Sequence, residues 1–248
     1  GHRVDVISGE PYPELDARVG LVKLPGLNLY AHPNPAWPLT QQRWRDPLNV
    51  FEWASYWSGG FPEPFTFGHR LLRHFKITRP RYDIIHDNQS LCTGLLGLMR
   101  RGYAVTSTIH HPITFDRDIA LQNTQEWGLR LLIRRWHRFL QMQTQVTRQL
   151  PYITTVSENS RRDIASAFGI SEKRIKVVLN GIDSDIFQPM PAVAREPYHL
   201  ITTASADQPL KGIQHLIPAV ADLAARYPDL KLTFLSLIHI SEPTRRTS

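Results

Sequence analysis

The sequence predicts an α/β protein built on a doubly wound, parallel, Rossmann-like sheet, and three observations carry that prediction. Apolar runs of strand length alternate with helix-length segments of roughly 3.6-residue periodicity along most of the 248 residues. The strand runs are nearly all apolar, as in a parallel sheet covered by helices on both faces. After the proline-rich QPMPAVAREP the strand, helix, strand pattern begins again, as at the start of a second sheet domain.

In order, HRVDVISG reads as a short strand ending at Gly9, and ARVGLVKLP as a second that Pro25 and Gly26 close. From Tyr30 to Gly60 runs an insertion with four of the six tryptophans, Trp37, Trp44, Trp53 and Trp57. Asp46-Pro47 starts a helix there and Gly59-Gly60 stops it. The tryptophans suit either a local core or a carbohydrate or lipid platform. PFTFGHRLLRHFKITRP is a helix ending before Pro80, YDIIH (82–86) a buried strand, Leu91 to about Arg101 an apolar helix, and AVTSTIH (104–110) a strand. From Leu121 to Leu150 apolar residues recur at helical spacing beside arginines. ITTVS (153–157), the helix SRRDIASAFG stopped by Gly169, and the strand RIKVVLNG (174–181) complete the alternation. Phe187 is placed to pack back on this core. Beyond the linker come the strand YHLITTAS, a helix from Lys211 to Tyr227 and the strand KLTFLS.

Composition narrows the chemistry. The single cysteine, Cys92, excludes an internal disulfide and a thiolate metal site. No apolar run approaches the ~18 to 20 residues that span a bilayer. The opening at Gly1 carries no signal-peptide pattern, so an internal start is expected. Basic residues exceed acidic ones by 29 − 22 = 7, which favours anionic partners. Arg70, Arg73, Lys76, Arg79 and Arg81 form one basic stretch and Arg130, Arg134, Arg135, Arg138 and Arg148 another. Solvated helix faces are the plain reading, a stripe facing an anionic membrane the next; no nucleic-acid module is present, so nucleic acid is not expected.

VVLNGIDSDIFQP, with TVSENSRRDIASAFGISEKRIKVV, YDIIH and TSTIHH upstream and ASADQPLKG downstream, resembles the retaining glycosyltransferases of family 4 over residues 1 to about 234. The resemblance implies the two-domain GT-B architecture. Residues 1–188 would be an acceptor-binding domain lacking its first strand, 189–197 a linker, and 198–234 the beginning of a nucleotide-sugar-binding domain. LSLIHISEPTRR resembles a translated sequencing adapter, so 235–248 is expected to be a non-native tail and the chain as given inactive. The implied reaction transfers a sugar from a nucleotide-diphosphate donor to a hydroxyl of a glycan, lipid or small molecule, with no cofactor or metal, in the cytoplasm or peripherally at an anionic membrane. A non-catalytic module for sugars or lipid head groups and a GT-B sugar-nucleotide epimerase are the alternatives.

His110 lies at a strand's carboxyl edge, where doubly wound sheets place ligands, and aligns with the family's active-site histidine. Lys211 and Gly212 match the lysine-glycine step that holds the donor diphosphate. The family's helping arginine falls on Ser205, whose hydroxyl donates a hydrogen bond without the charge. Asp87 and Asn88, at another strand end, suit acceptor hydroxyls or a helix cap equally. His111 and Arg117 are further acceptor-side candidates, Arg117 for a phosphorylated acceptor.

Overall fold

The computed structural model describes residues 1–31, 41–203 and 212–235, and the chain divides into two compact units, Gly1–Asn180 and Gly181–Ser248. In the first, β1 (Asp5–Ser8) and β2 (Gly20–Lys23) form a parallel pair. The connection onward carries α1 (Gln41–Trp44), α2 (Pro47–Trp57) and α3 (Glu63–Thr78). Then follow β3 (Ile85–Asn88), α4 (Thr93–Met99), β4 (Val105–Thr108), α5 (Thr114–Gln122), α6 (Trp127–Trp136) and α7 (Phe139–Gln149). β5 (Tyr152–Thr155), α8 (Glu158–Phe168), a 3-10 turn (Glu172–Arg174) and β6 (Ile175–Val177) complete it. The second unit holds β7 (His199–Thr202), α9 (Ile213–Ala224) and β8 (Lys231–Phe234), with β7 and β8 paired in parallel.

The predicted class holds: the chain is α/β with parallel, Rossmann-like sheets. The main sheet runs β3-β4-β5-β6, every neighbour parallel. Consecutive order with right-handed crossovers sends each connection back over one face. That face carries Val105, Ile109, Ile153 and Ile175 into a core with Leu71 and Phe75 of α3, Leu95 and Leu98 of α4, Val146 of α7, and Ile164 and Phe168 of α8. Each such side chain contributes roughly 1.5–3 kcal/mol on burial. Among the described residues the opposite face is not covered as expected; it shows the partly or fully exposed His86, Thr106, Thr108, Thr154 and Lys176.

Capping chemistry sets the helix bounds. The Asp46 carboxylate accepts the Leu48 N–H at 3.0 Å with Pro47 in the first turn of α2. Ser157 accepts the Ser160 N–H at 3.1 Å, and Gly169 ends α8 at φ +63°. The helix-like stretch 121–150 is broken instead of continuous. Asn123 and Thr124 turn their side chains back onto the carbonyls of Ile119 and Ala120, while Arg130 donates to those of Leu121 and Thr124, so the chain leaves the helix before α6. The strand expected at 82–86 lies at 85–88, because the ladder opens with the Ile85 N–H on the Ala104 carbonyl. Tyr82 instead donates to Asp5 at 3.0 Å, tying the β1–β2 pair to the main body. The first compact unit ends at Asn180, eight residues before the expected boundary at 188, and Phe187, expected to pack, is 69% exposed.

α3 and α4 touch backbone to backbone. A Cβ on Gly94 would stand 2.6 Å from the Gly68 carbonyl oxygen, and one on Gly68 would stand 3.0 Å from the Gly94 nitrogen. α2 and α3 are joined by a buried ion pair between Glu52 and Arg70. Arg70 also donates to Asn49 at 2.8 Å and Thr66 at 3.1 Å, and Glu52 accepts the Leu27 N–H at 3.1 Å. Arg70 is therefore interior, and Arg73 pairs with Asp46, so the stretch 70–81 is no continuous basic stripe.

At the start of α3, both carboxylate oxygens of Glu63 are buried without a hydrogen-bond partner. Burial, reinforced by the charge of Glu52 and opposed by its own nearby backbone N–H dipole and by the charge of Arg70, pushes its pKa from 4.5 up to about 7.

Two outcomes are expected. Gly94→Ala forces a methyl against the Gly68 backbone and should destabilise the chain by about 1–3 kcal/mol in urea unfolding, despite alanine's better helix propensity. A gain in stability would remove the close-approach account. For Glu63, the unfolded chain ionises before the folded one, so its contribution is fully present below the unfolded value and is lost as pH rises toward 7. Glu63→Gln should thus stabilise the chain at pH 8, by at most about 3 kcal/mol, with the advantage vanishing near pH 4.5. A difference independent of pH would contradict it.

Candidate functional site

Parallel pairing brings the carboxyl ends of β3, β4 and β5 to one edge, with Asn88 opposite Thr108 and Thr108 opposite Thr154. The Ile109 N–H extends the ladder onto the Thr154 carbonyl at 2.9 Å, and the chain then turns away at His110. The histidine pair therefore sits just beyond the sheet, as expected for a ligand edge.

His110 is held twice. Its ring Nε2 lies 2.8 Å from Asn88 Oδ1, and its backbone N–H donates to Gln89 Oε1 at 2.7 Å. With Nε2 donating to Asn88, the neutral ring keeps Nδ1 as an acceptor; protonated, it donates there instead. The Gln89 amide also donates to the His111 carbonyl at 2.8 Å, so one side chain clamps both histidine backbones. Gln89 stands at φ +60°, a conformation unusual outside glycine. Gln143, buried in α7, donates to the Ser90 carbonyl at 3.2 Å and to that of Gln89 at 3.5 Å, supporting this turn from below.

Asp87 is interior. Its two oxygens accept from the Ser90 N–H at 3.2 Å, the Ser90 hydroxyl, the Leu91 N–H at 3.1 Å and the Ser107 hydroxyl at 2.8 Å. A carboxylate so occupied organises the turn before α4, whose own N-cap is Cys92, and has little capacity left for acceptor hydroxyls. His111 Nε2 lies 3.2 Å from Asp116 Oδ2. Asp116 Oδ1, Thr114 Oγ1 and Thr155 Oγ1 are buried without partners. Asp116, which meets His111 through Oδ2, thus keeps an unused acceptor in Oδ1. Arg117 is engaged by its neighbour Asp118 at 2.7 Å.

The structure thus gathers His110, His111 and Asn88, and places Asp87 beneath them in a supporting position. Of the residues expected to hold a donor, Gly212 precedes α9 at φ +72°, and Lys211 and Ser205 lie outside the described residues. Among the described residues no group of three or more His, Cys, Asp or Glu side chains could hold a metal ion, and no helix is long and apolar enough to cross a membrane. Sequence reasoning missed Gln89 and Gln143. The one available signal was a glutamine at a core-facing position of α7, between Leu140 and Val146.

Comparison with known proteins bears on this edge. The family model described as Glycosyltransferase Family 4 matches residues 1–186. An MMP alpha-(1->4)-mannosyltransferase of Mycolicibacterium hassiacum is 40% identical over 247 residues, which cover 99% of this chain and 59% of that protein. The chain therefore spans rather less than two thirds of that relative's length. With a family match over three quarters of its residues, the chain belongs to glycosyltransferase family 4.

Proposed function

We propose that the chain is the acceptor-side part of a retaining glycosyltransferase that moves a mannosyl unit from a nucleotide-diphosphate sugar to a hydroxyl of a glycan. The observation that carries this reading is His110, fixed through ring and backbone by Asn88 and Gln89 at the carboxyl edge of the sheet. The name of the 40% identical relative supports the sugar and the glycan acceptor. His110 would hold the transferring sugar or the incoming hydroxyl, with His111 and Asn88 beside it. Lys211, with Gly212 and Ser205, would hold the leaving diphosphate. In a front-face displacement that diphosphate takes the proton of the attacking hydroxyl, so the protein's part is orientation and charge stabilisation, with no metal.

We place the reaction in the cytoplasm, with a peripheral contact at an anionic membrane through the outer face of α6. There Trp127 is 76% exposed, Leu131 lies one turn on, and Arg134 stands beside Trp127 on the helical wheel, on the side away from Leu131. Vesicles containing phosphatidylglycerol should retain the chain at low salt and release it at high salt, whereas equal recovery on neutral vesicles would remove this contact.

The transfer reading is tested by His110→Ala in the longest natural reading frame containing this chain. The variant should fold normally and lose at least about a hundredfold in kcat for release of nucleotide diphosphate in the presence of a mannan acceptor. Near-wild-type turnover would take His110 out of the mechanism.

A further inference from the structure

Two insertions leave the carboxyl side of the sheets. One runs from β2 to α3 and carries Tyr30 and α2; the other follows His110 and His111 and carries α5 and α6. The second leaves β4 at the histidine pair, and the Tyr30–Trp136 and Ser58–Arg135 contacts bring the first against it. They meet around a cavity of about 530 Å³ lined by Tyr30, Tyr56, Trp57, Ser58, Leu132 and Trp136.

The meeting is built, not incidental. Gly59, at φ +76°, has no side chain where a Cβ would collide with Leu132, and a Cβ at Gly60 would collide with the Arg135 guanidinium. Arg135 bridges the insertions by donating to Ser58 at 2.8 Å and Ser55 at 3.3 Å. Tyr30 stands edge-on to Trp136 at 5.4 Å and to Tyr56 at 5.0 Å, and Trp136 stacks on Phe61 at 5.1 Å. This fixes the orientation of the rings, yet Tyr30, Trp57, Leu132 and Trp136 remain 37% to 52% exposed. Rigid aromatic faces left in water beside hydroxyl groups are a surface waiting for a ligand with both apolar and hydroxylated faces.

We infer that this cavity is an acceptor subsite that binds a hexopyranose unit of a neutral oligosaccharide some distance from the reacting hydroxyl. A pyranose ring presents C–H groups on one face, which pack on Trp57 and Trp136, and hydroxyls around its rim, which meet Tyr56 and the Ser58–Arg135 pair. The volume lies in the range of small-molecule sites. His110 is not among the residues that line it, so the subsite would take one unit of an acceptor longer than one sugar while another unit carries the reacting hydroxyl. The inference rests on the proposed glycan acceptor and names where that glycan is gripped.

The test uses the 248-residue chain and α-(1→4)-linked mannotetraose, followed by tryptophan fluorescence, with a nucleoside diphosphate as a second arm. Saturable quenching by the tetraose is expected, weakened about five- to tenfold in Trp57→Ala and by a smaller factor in Tyr56→Phe, with the same urea midpoint as the parent for both partly exposed positions. Binding of the nucleoside diphosphate should be unmoved by either substitution. No saturable quenching by the tetraose, or equal affinity in Trp57→Ala, overturns the subsite. In a turnover assay of the longest natural reading frame, Trp57→Ala should raise the acceptor KM and leave the donor KM alone. Turnover with an unchanged acceptor KM sinks the subsite and keeps the transfer reading. Trp57-dependent binding in a protein that transfers nothing keeps the subsite and sinks the transfer reading.

Discussion

Parallel pairing is the constraint from which the rest of this molecule follows. A strand that must lie parallel to its predecessor cannot be reached by a tight turn, so each connection crosses back over the sheet and the carboxyl ends collect on one edge. In the main sheet this sets Asn88, Thr108 and Thr154 side by side and brings His110 against Asn88, although 22 residues separate those two in sequence. The same constraint puts Val105, Ile153 and Ile175 under the helices and leaves Thr106, Thr154 and Lys176 on the other side. Core and site are two readings of one geometric rule.

The edge is kept in shape by polar groups that never meet solvent. Asp87 accepts four hydrogen bonds from within, and Gln143 supports a turn whose Gln89 adopts a left-handed backbone conformation. Buried polar networks of this kind are favourable only when nearly complete, because each missing partner leaves a desolvated group behind. Glu52 and Arg70 play the corresponding part for the first insertion, joining the segment after β2 to α2 and α3. Removing one member of such a pair typically costs about 3–5 kcal/mol, more than the pair itself adds.

Much of this was legible in the sequence, for physical reasons that differ from element to element. Asp46-Pro47 marked a helix start because capping is local chemistry, and Gly169 marked a stop because glycine turns left-handed without strain, whereas the Ser157 cap was read as the end of a strand. His110 could be singled out because a strand end is visible in the apolar pattern. The break inside 121–150 was not legible, since arginine, asparagine and threonine bonds to carbonyls override an otherwise helical periodicity. Arg70 read as part of a basic stripe because its partner Glu52 lies 18 residues away. Gln89 was invisible for a similar reason: its role exists only once β3 and β4 stand side by side.

The glycines at 59 and 60 have a wider consequence. They let α6 rest on the first insertion, and none of the residues of α6 is buried. Recognition and architecture are in this sense decoupled. Length, tilt or composition of α6 can drift from one descendant to another with little penalty to the sheet, and a protein of this plan can acquire a new ligand without having to relearn how to fold.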